Sequence, residues 1–253
     1  MFGIKSRYLA SVFLDADELV PSGDMWKELI DVLQDEQMQP NTVQEPTPLG
    51  KKTRISFKNS DGSIILVLTG QRFDFMRRIV SEETMDLGDF TAFCTEASSK
   101  LSKLTTFLKK ESSRLAAVQE GFLQQMTDEE MSEVATRLFK FPKFYVESLP
   151  FEWDWRLASS VRRTIAEFDD EQTNNITSLR RATGHLVLFP NGGEIKQING
   201  IRLDLDINTT ALNDKPRFVH KHIESFFSKV VEWHDELGNE IFSLIKGEAV
   251  ANQ

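Results

Sequence analysis

Along Gly200-Ile201-Arg202-Leu203-Asp204-Leu205-Asp206-Ile207-Asn208, apolar and polar residues alternate without a break. A pleated strand turns successive side chains to opposite faces. Leu203, Leu205 and Ile207 are therefore directed to a core, and Arg202, Asp204, Asp206 and Asn208 away from it. Gly70-Gln71-Arg72-Phe73-Asp74-Phe75 has the same Gly-x-Arg-apolar-Asp-apolar order, and in both places an amphipathic helix begins some fifteen residues later. The chain therefore reads as a duplication.

The first half opens with Tyr8 to Leu14, a short apolar run with the length of a strand, closed by acidic residues and Pro21. From Asp24 to about Glu36, Met25, Leu29, Ile30, Val32 and Leu33 recur at helical spacing, with Ser22 placed to cap. Gln37 to Lys52 carries Pro40, Pro46, Pro48 and Gly50 among polar residues and reads as a loop. Arg54 to Lys58, Ser63 to Leu68 and Arg72 to Ile79 then form a three-strand antiparallel meander, with Asp61-Gly62 suited to a tight turn. Between Leu87 and about Glu111, Phe90, Phe93, Ala97, Leu101, Leu104 and Leu108 make the stripe of a long helix.

Leu115, Val118 and Phe122 would extend that stripe, but Ser112-Ser113 interrupts it and a second copy needs a strand there. Arg114 to Gln124 is accordingly read as strand. Thr127-Asp128-Glu129-Glu130 is a capping box for a helix ending before Pro142, and Phe144 to Leu149 reads as an extended connection. Phe151, Trp153, Trp155 and Leu157 alternate with polar residues in a strand reaching toward Ile165. Asn174 to Phe189 is the next strand and Pro190-Asn191-Gly192-Gly193 a turn. A last helix follows Pro216 and runs to about Lys246, on a stripe that includes Ile223, Phe226, Val230, Trp233 and Ile241. The expected fold class is α+β: two copies of a β-α-β-β-β-α unit, 1–111 and 112–253, whose antiparallel meander sheets pack on the long helices and join edge to edge or by stacking in one body.

On its residues the chain resembles a sporadically distributed family of uncharacterised bacterial proteins of about 250 residues. The resemblance rests on Leu66-Val67-Leu68-Thr69-Gly70-Gln71-Arg72-Phe73-Asp74-Phe75-Met76-Arg77, on Leu203-Asp204-Leu205-Asp206, and on a late helix with a His and a Phe, His222 through Phe242. Met76-Arg77 stand where the family pattern has Asn-Trp. The resemblance implies no activity, since the family has no established function. Its patchy distribution implies mobile loci, of the defence or toxin-antitoxin kind.

A net charge of -9 disfavours nonspecific attraction to a phosphate backbone unless the basic residues cluster. The single cysteine, Cys94, excludes an intrachain disulfide and multi-cysteine zinc sites. With no apolar run of signal-peptide or membrane-span length, the expectation is a cytoplasmic protein that does not enter a membrane.

No strong catalytic or metal motif is present, and no cofactor is expected. Asp204-x-Asp206-x-Asn208 opens like a calcium loop, but Thr209 stands where the loop needs Gly. His220 and His222 lie about 200° apart around a helix and cannot share an ion without distortion. Cys94 sits beside an apolar stripe, away from any nucleophile elbow. Candidate binding residues are Arg72, Asp74, Arg202, Asp204 and Asp206 on the polar strand faces. To these are added Arg162, Arg163, Arg180 and Arg181, basic pairs that with Arg77-Arg78 form a cationic strip if strands bring them together. The alternative for the pairs is cross-strand pairing with Glu152, Asp154 and Glu167.

The leading expectation is a noncatalytic protein-binding or adaptor protein presenting a sheet face or edge to another protein, with assembly into a homodimer as a further expectation. One competitor is an enzyme or small-ligand receptor with a pocket between sheet and long helix, near Trp153, Trp155 and Trp233. The other is a protein that binds single-stranded nucleic acid through the arginine pairs.

Overall fold

Alternation places Tyr8, Ala10 and Val12 of the first strand on one face, where all are buried, and this strand lies in the middle of the sheet. The computed structural model describes residues 2–248 apart from 36, 82–83, 85, 124, 147–149 and 188–194. Its elements follow the order β1 (Ile4–Phe13), α1 (Gly23–Leu33), β2 (Gln39–Thr47), β3 (Gly50–Lys58), β4 (Ile64–Leu68), β5 (Arg72–Arg78) and α2 (Phe90–Leu108). Then come β6 (Arg114–Phe122), α3 (Asp128–Leu138), α4 (Lys143–Val146), β7 (Asp154–Ile165), β8 (Phe168–Val187), β9 (Ile195–Thr209) and α5 (His220–Lys246).

All strands join one antiparallel sheet of nine, in the order β2-β3-β4-β5-β1-β6-β9-β8-β7. The expected α+β class and antiparallel sheet are therefore present, and of the two expected ways for the halves to join, edge to edge or stacked, the chain takes the first, in a single sheet whose halves meet where β1 pairs with β6. Outward from that seam stand β5 and β9, then β4 and β8, then β3 and β7. The first half carries one strand more than expected. The proline-containing segment read as a loop is β2, paired with β3 from Gln39↔Lys58 to Thr47↔Gly50. Proline fits there because β2 is an edge strand with one side free of ladder bonds.

Arg114–Phe122 is a strand, paired with β1 and β9. The step from α2 to β6 is made at Lys109, left-handed at φ 53, whose N–H reaches the Thr105 and Thr106 carbonyls. The last helix starts later than the Pro216 signal. Val219 is its N-cap, and His222 Nδ1 accepts from the Val219 N–H at 3.0 Å. The stretch from Phe144, expected to be extended, begins inside the helical turn α4, and its end at 147–149 lies outside the described residues. So do the Pro190–Gly193 turn and the Leu188–Phe189 end of the expected strand.

The long helices pack on the same face. Tyr8 lies against Phe90 and Phe93 of α2, and Phe226, Phe227 and Val230 of α5 enter the same core as Leu115, Ala117 and Ile207. This larger core draws on both halves of the chain. A second core joins Met131, Val134 and Ala135 of α3 to Leu179, Leu203, Leu205, Ile241 and Ile245. The three tryptophans do not form one cluster. Trp153 and Trp155 belong to the second core, where Trp153 packs edge-on to Phe139, while Trp233 packs against the first beside Phe226. No helix of the described residues is long and apolar enough to cross a membrane.

A candidate binding face on the sheet

With the helices on one side, strand alternation fixes what stands on the other. Phe73 and Phe75 of β5 are buried toward the helices, so Arg72, Asp74, Met76 and Arg78 point the opposite way. Register carries that side across the seam. Arg72 stands opposite Phe13, Asp74 opposite Ser11 and Met76 opposite Leu9. Phe13 faces Arg114, Leu9 faces Val118 and Arg7 faces Glu120. Val118, Glu120 and Phe122 face Asp206, Asp204 and Arg202, and these face Ile176, Ser178 and Arg180.

The charged groups form a chain across four strands. Arg7 pairs with Glu120, Glu120 with Arg202 at 2.9 Å, Arg202 with Asp204 at 2.8 Å, and Asp204 with Arg180 at 2.8 Å. Beside it Arg72 holds Asp74 at 2.8 Å and the Ser11 hydroxyl donates to Asp74 Oδ1 at 2.5 Å. Burial pushes the Asp74 carboxyl above the usual carboxylate range, against the hydrogen bond from Ser11 and the charge of Arg72. Burial likewise raises Asp206, opposed by the hydrogen bond from Asn208 and by the charges of Arg114 and Arg156.

Between β5 and β8 this face thus carries Arg7, Arg72, Arg78, Arg114, Arg180 and Arg202 against Asp74, Glu120, Asp170, Asp204 and Asp206. That is a basic surplus in a chain of net charge -9. Among the described residues, Arg78 and Arg114 have no carboxylate in ion-pair range, and neither has Arg156 on β7. Phe13 lies between two guanidinium groups, Arg72 at 5.6 Å and Arg114 at 4.8 Å from its ring centre. It also lines a cleft of about 400 Å³, closed on the far side by Val43, Glu45 and Pro46 of β2.

Of the residues singled out from sequence, Arg72, Asp74, Arg202, Asp204, Asp206, Arg180 and Arg162 stand on this face, the last at its β7 rim. Arg163 and Arg181 do not. Arg163 crosses to the helix side, where it covers the Trp233 ring at 4.5 Å and donates to Thr173 Oγ1 and Asn175 Oδ1. Arg181 reaches Asp128 at the start of α3, 2.9 Å away. Arg77 and Arg78 split in the same way, Arg77 pairing with Glu96 on α2. Neighbours on a strand face opposite sides, so the basic pairs cannot make one strip.

Of the expected acidic partners, Asp154 stands directly opposite Arg180 across β7 and β8, but the ion pairs run elsewhere. Arg162 pairs with Asp170 and Arg180 with Asp204, while Glu167 meets Lys221 and His222. Reasoning from sequence missed Arg7, Phe13, Arg114 and Glu120. Their outward direction follows once β1 and β6 are known to be neighbours, a pairing across about a hundred residues with no local signal.

A larger cavity of about 870 Å³ lies elsewhere, between α2 and α5, lined by Cys94, Ser98, Lys103, His220 and Glu224 among others. Neither Trp153, Trp155 nor Trp233 lines it. Burial pushes the Cys94 thiol far up, which leaves no thiolate for nucleophilic attack. Among the described residues no group of three or more His, Cys, Asp or Glu is placed to hold a metal ion.

No family model matches the chain. No curated protein matches it. Among solved structures it is similar to a rolling circle replication initiator protein from Geobacillus stearothermophilus, with 8% identity over 90% of this chain and 78% of that one. The TM-score is 0.31, too low for the likeness to support an argument about fold or function.

Proposed function

We propose that this is a noncatalytic binding protein that receives an anionic macromolecule, in the first place an acidic segment of another protein, on the helix-free face of its sheet. The observation that carries this reading is the placement of charge. Arginines outnumber carboxylates on the helix-free sheet face of an acidic chain, and among the described residues Arg78, Arg114 and Arg156 make no close ion pair, although Asp206 feels the charges of Arg114 and Arg156. Burial works against the negative charge of Asp74 and Asp206 on the same face. The partly exposed Met76, Leu9 and Val118 add an apolar row across β5, β1 and β6 that a bound chain can cover, with Ile176 beyond Asp206.

A second reading has its own support. An aromatic ring between two arginines, beside a cleft, is also what a base of single-stranded nucleic acid stacks on. Retention on immobilised polyglutamate and on immobilised single-stranded DNA, each eluted with salt, separates the two. Stronger retention on polyglutamate supports the first reading. Stronger retention on DNA that Phe13→Ala weakens supports the second, and passage through both columns at low salt removes both.

The same proposal treats the halves as two copies of one plan, which sets the binding strands β5 and β9 symmetrically about the β1–β6 seam. Its support is that Arg72-x-Asp74 and Arg202-x-Asp204 occupy those two corresponding strands, each two residues after a glycine, Gly70 or Gly200. A cytoplasmic setting, within a mobile locus of the family the chain resembles, agrees with the buried free thiol of Cys94.

A further inference from the structure

The two edges of the sheet differ in how they are protected. Edge strand β2 carries Pro40 and Pro46, which remove donors and discourage another strand from adding. Edge strand β7 is 12 residues long, has no proline, and is exposed over most of its length. On its helix side Leu157 and Val161 are 55% and 40% exposed. A bare, regular edge of that length is a template for main-chain pairing with another strand.

We propose that a second copy of this chain occupies it, with the two β7 strands antiparallel and centred on Ala158. The argument for a second copy is that β7 is complementary to itself in one register. With Ala158 opposite Ala158, Asp154 falls opposite Arg162 of the partner subunit, twice by symmetry. Trp155 then meets Val161 of the partner subunit, an aromatic with a β-branched side chain, and Arg156 meets Ser160 of the partner subunit.

Moving the centre to Ser159 sets Arg156 against Arg162 of the partner subunit, a like-charge contact that disfavours that register. A shift of a single residue would oppose side chains of different faces. The present partner of Arg162 is Asp170, with both side chains about two-thirds exposed, so exchanging it costs little.

The axis of such a dimer stands perpendicular to the sheet. It places the helices of both copies on one side and joins the two helix-free faces into one continuous surface. This inference stands on the edge alone and does not depend on what the face binds.

The test is sedimentation velocity of the full chain over a concentration series, with hydrogen exchange of the β7 amides. The wild type is expected to dimerise as concentration rises, with exchange of residues 154–165 slowing in step. Asp154→Arg and Arg162→Asp should each weaken the dimer by about tenfold or more, since each breaks two pairs and creates two repulsions. The double variant should recover most of the loss. Circular dichroism shows whether each variant is folded, and both sites are exposed. A chain that stays monomeric, a dimer indifferent to either single change, or a double variant no tighter than the singles overturns the proposal.

Discussion

The Ser11 hydroxyl donates a 2.5 Å hydrogen bond to Asp74 Oδ1 across the β1–β5 pair, and both residues are buried. A hydroxyl on the central strand thereby holds a carboxylate that burial acts to neutralise. Because the folded carboxyl titrates above its unfolded value, its contribution to stability is full below the unfolded pKa and is lost as pH rises through the folded one. Ser11→Ala removes the donor and should cost about 1.5–3 kcal/mol at pH 7, and less near pH 4, the direction in which the raised titration moves the carboxyl toward its neutral form. Asp74→Asn should flatten this part of the pH profile. Urea unfolding at the two pH values measures both effects.

His234 behaves in the opposite sense. Its ring is fully buried, with Nε2 3.1 Å from the Ala117 carbonyl and the ring edge-on to Phe90. Burial, with the charge of Arg163, pulls its pKa to about 4, against the hydrogen bond to Ala117. The stability tied to the neutral ring is complete above the ordinary value of 6.5 and is lost as pH falls toward 4. NMR of the imidazole should show a neutral ring with the proton on Nε2 at pH 6, and a midpoint near 6.5 would contradict the buried placement. His234→Ala should cost about 2–5 kcal/mol through the cavity it leaves.

Gly70, the glycine of the first Gly-x-Arg-x-Asp motif, has a steric task. A Cβ added there would collide with the Arg54 guanidinium and the Asp17 carboxylate. Arg54 is 2% exposed and is held by Asp17, by Glu45 at 2.5 Å, and by the carbonyls of Asp17 and Leu19 at 3.1 and 3.3 Å. Gly70→Ala should therefore destabilise by about 1–3 kcal/mol. Glu45→Gln, which keeps the shape but removes one of the two countercharges, should lower the midpoint of denaturation without abolishing folding.

What could be read from the residues alone depended on whether a strand has two chemically different faces. β9 and β5 announce themselves because Leu203, Leu205, Phe73 and Phe75 alternate with charges. β2 does not, because an edge strand of Gln, Asn, Thr and Pro buries too little to leave an apolar period. The break at Ser112-Ser113 correctly set β6 apart from α2, where Lys109 turns the chain.

Adjacency on a strand separates side chains, and Arg162-Arg163 and Arg180-Arg181 divide between the two faces. The site also depends on Arg7, Glu120 and Arg114, brought together by a β1–β6 pairing that hydrophobic pattern does not encode.

The central claim is that the helix-free face binds an anionic chain. It is tested most directly by titrating fluorescent polyglutamate, and in parallel a fluorescent oligothymidylate, with the wild type and with Arg114→Glu/Arg156→Glu. Lys103→Glu, on the helix side, serves as the control. The account predicts salt-sensitive binding of one probe by the wild type and the control, weakened about tenfold or more in the double variant, with a shallower salt dependence. No binding of either probe at low salt, or equal affinity in all three proteins, would contradict it.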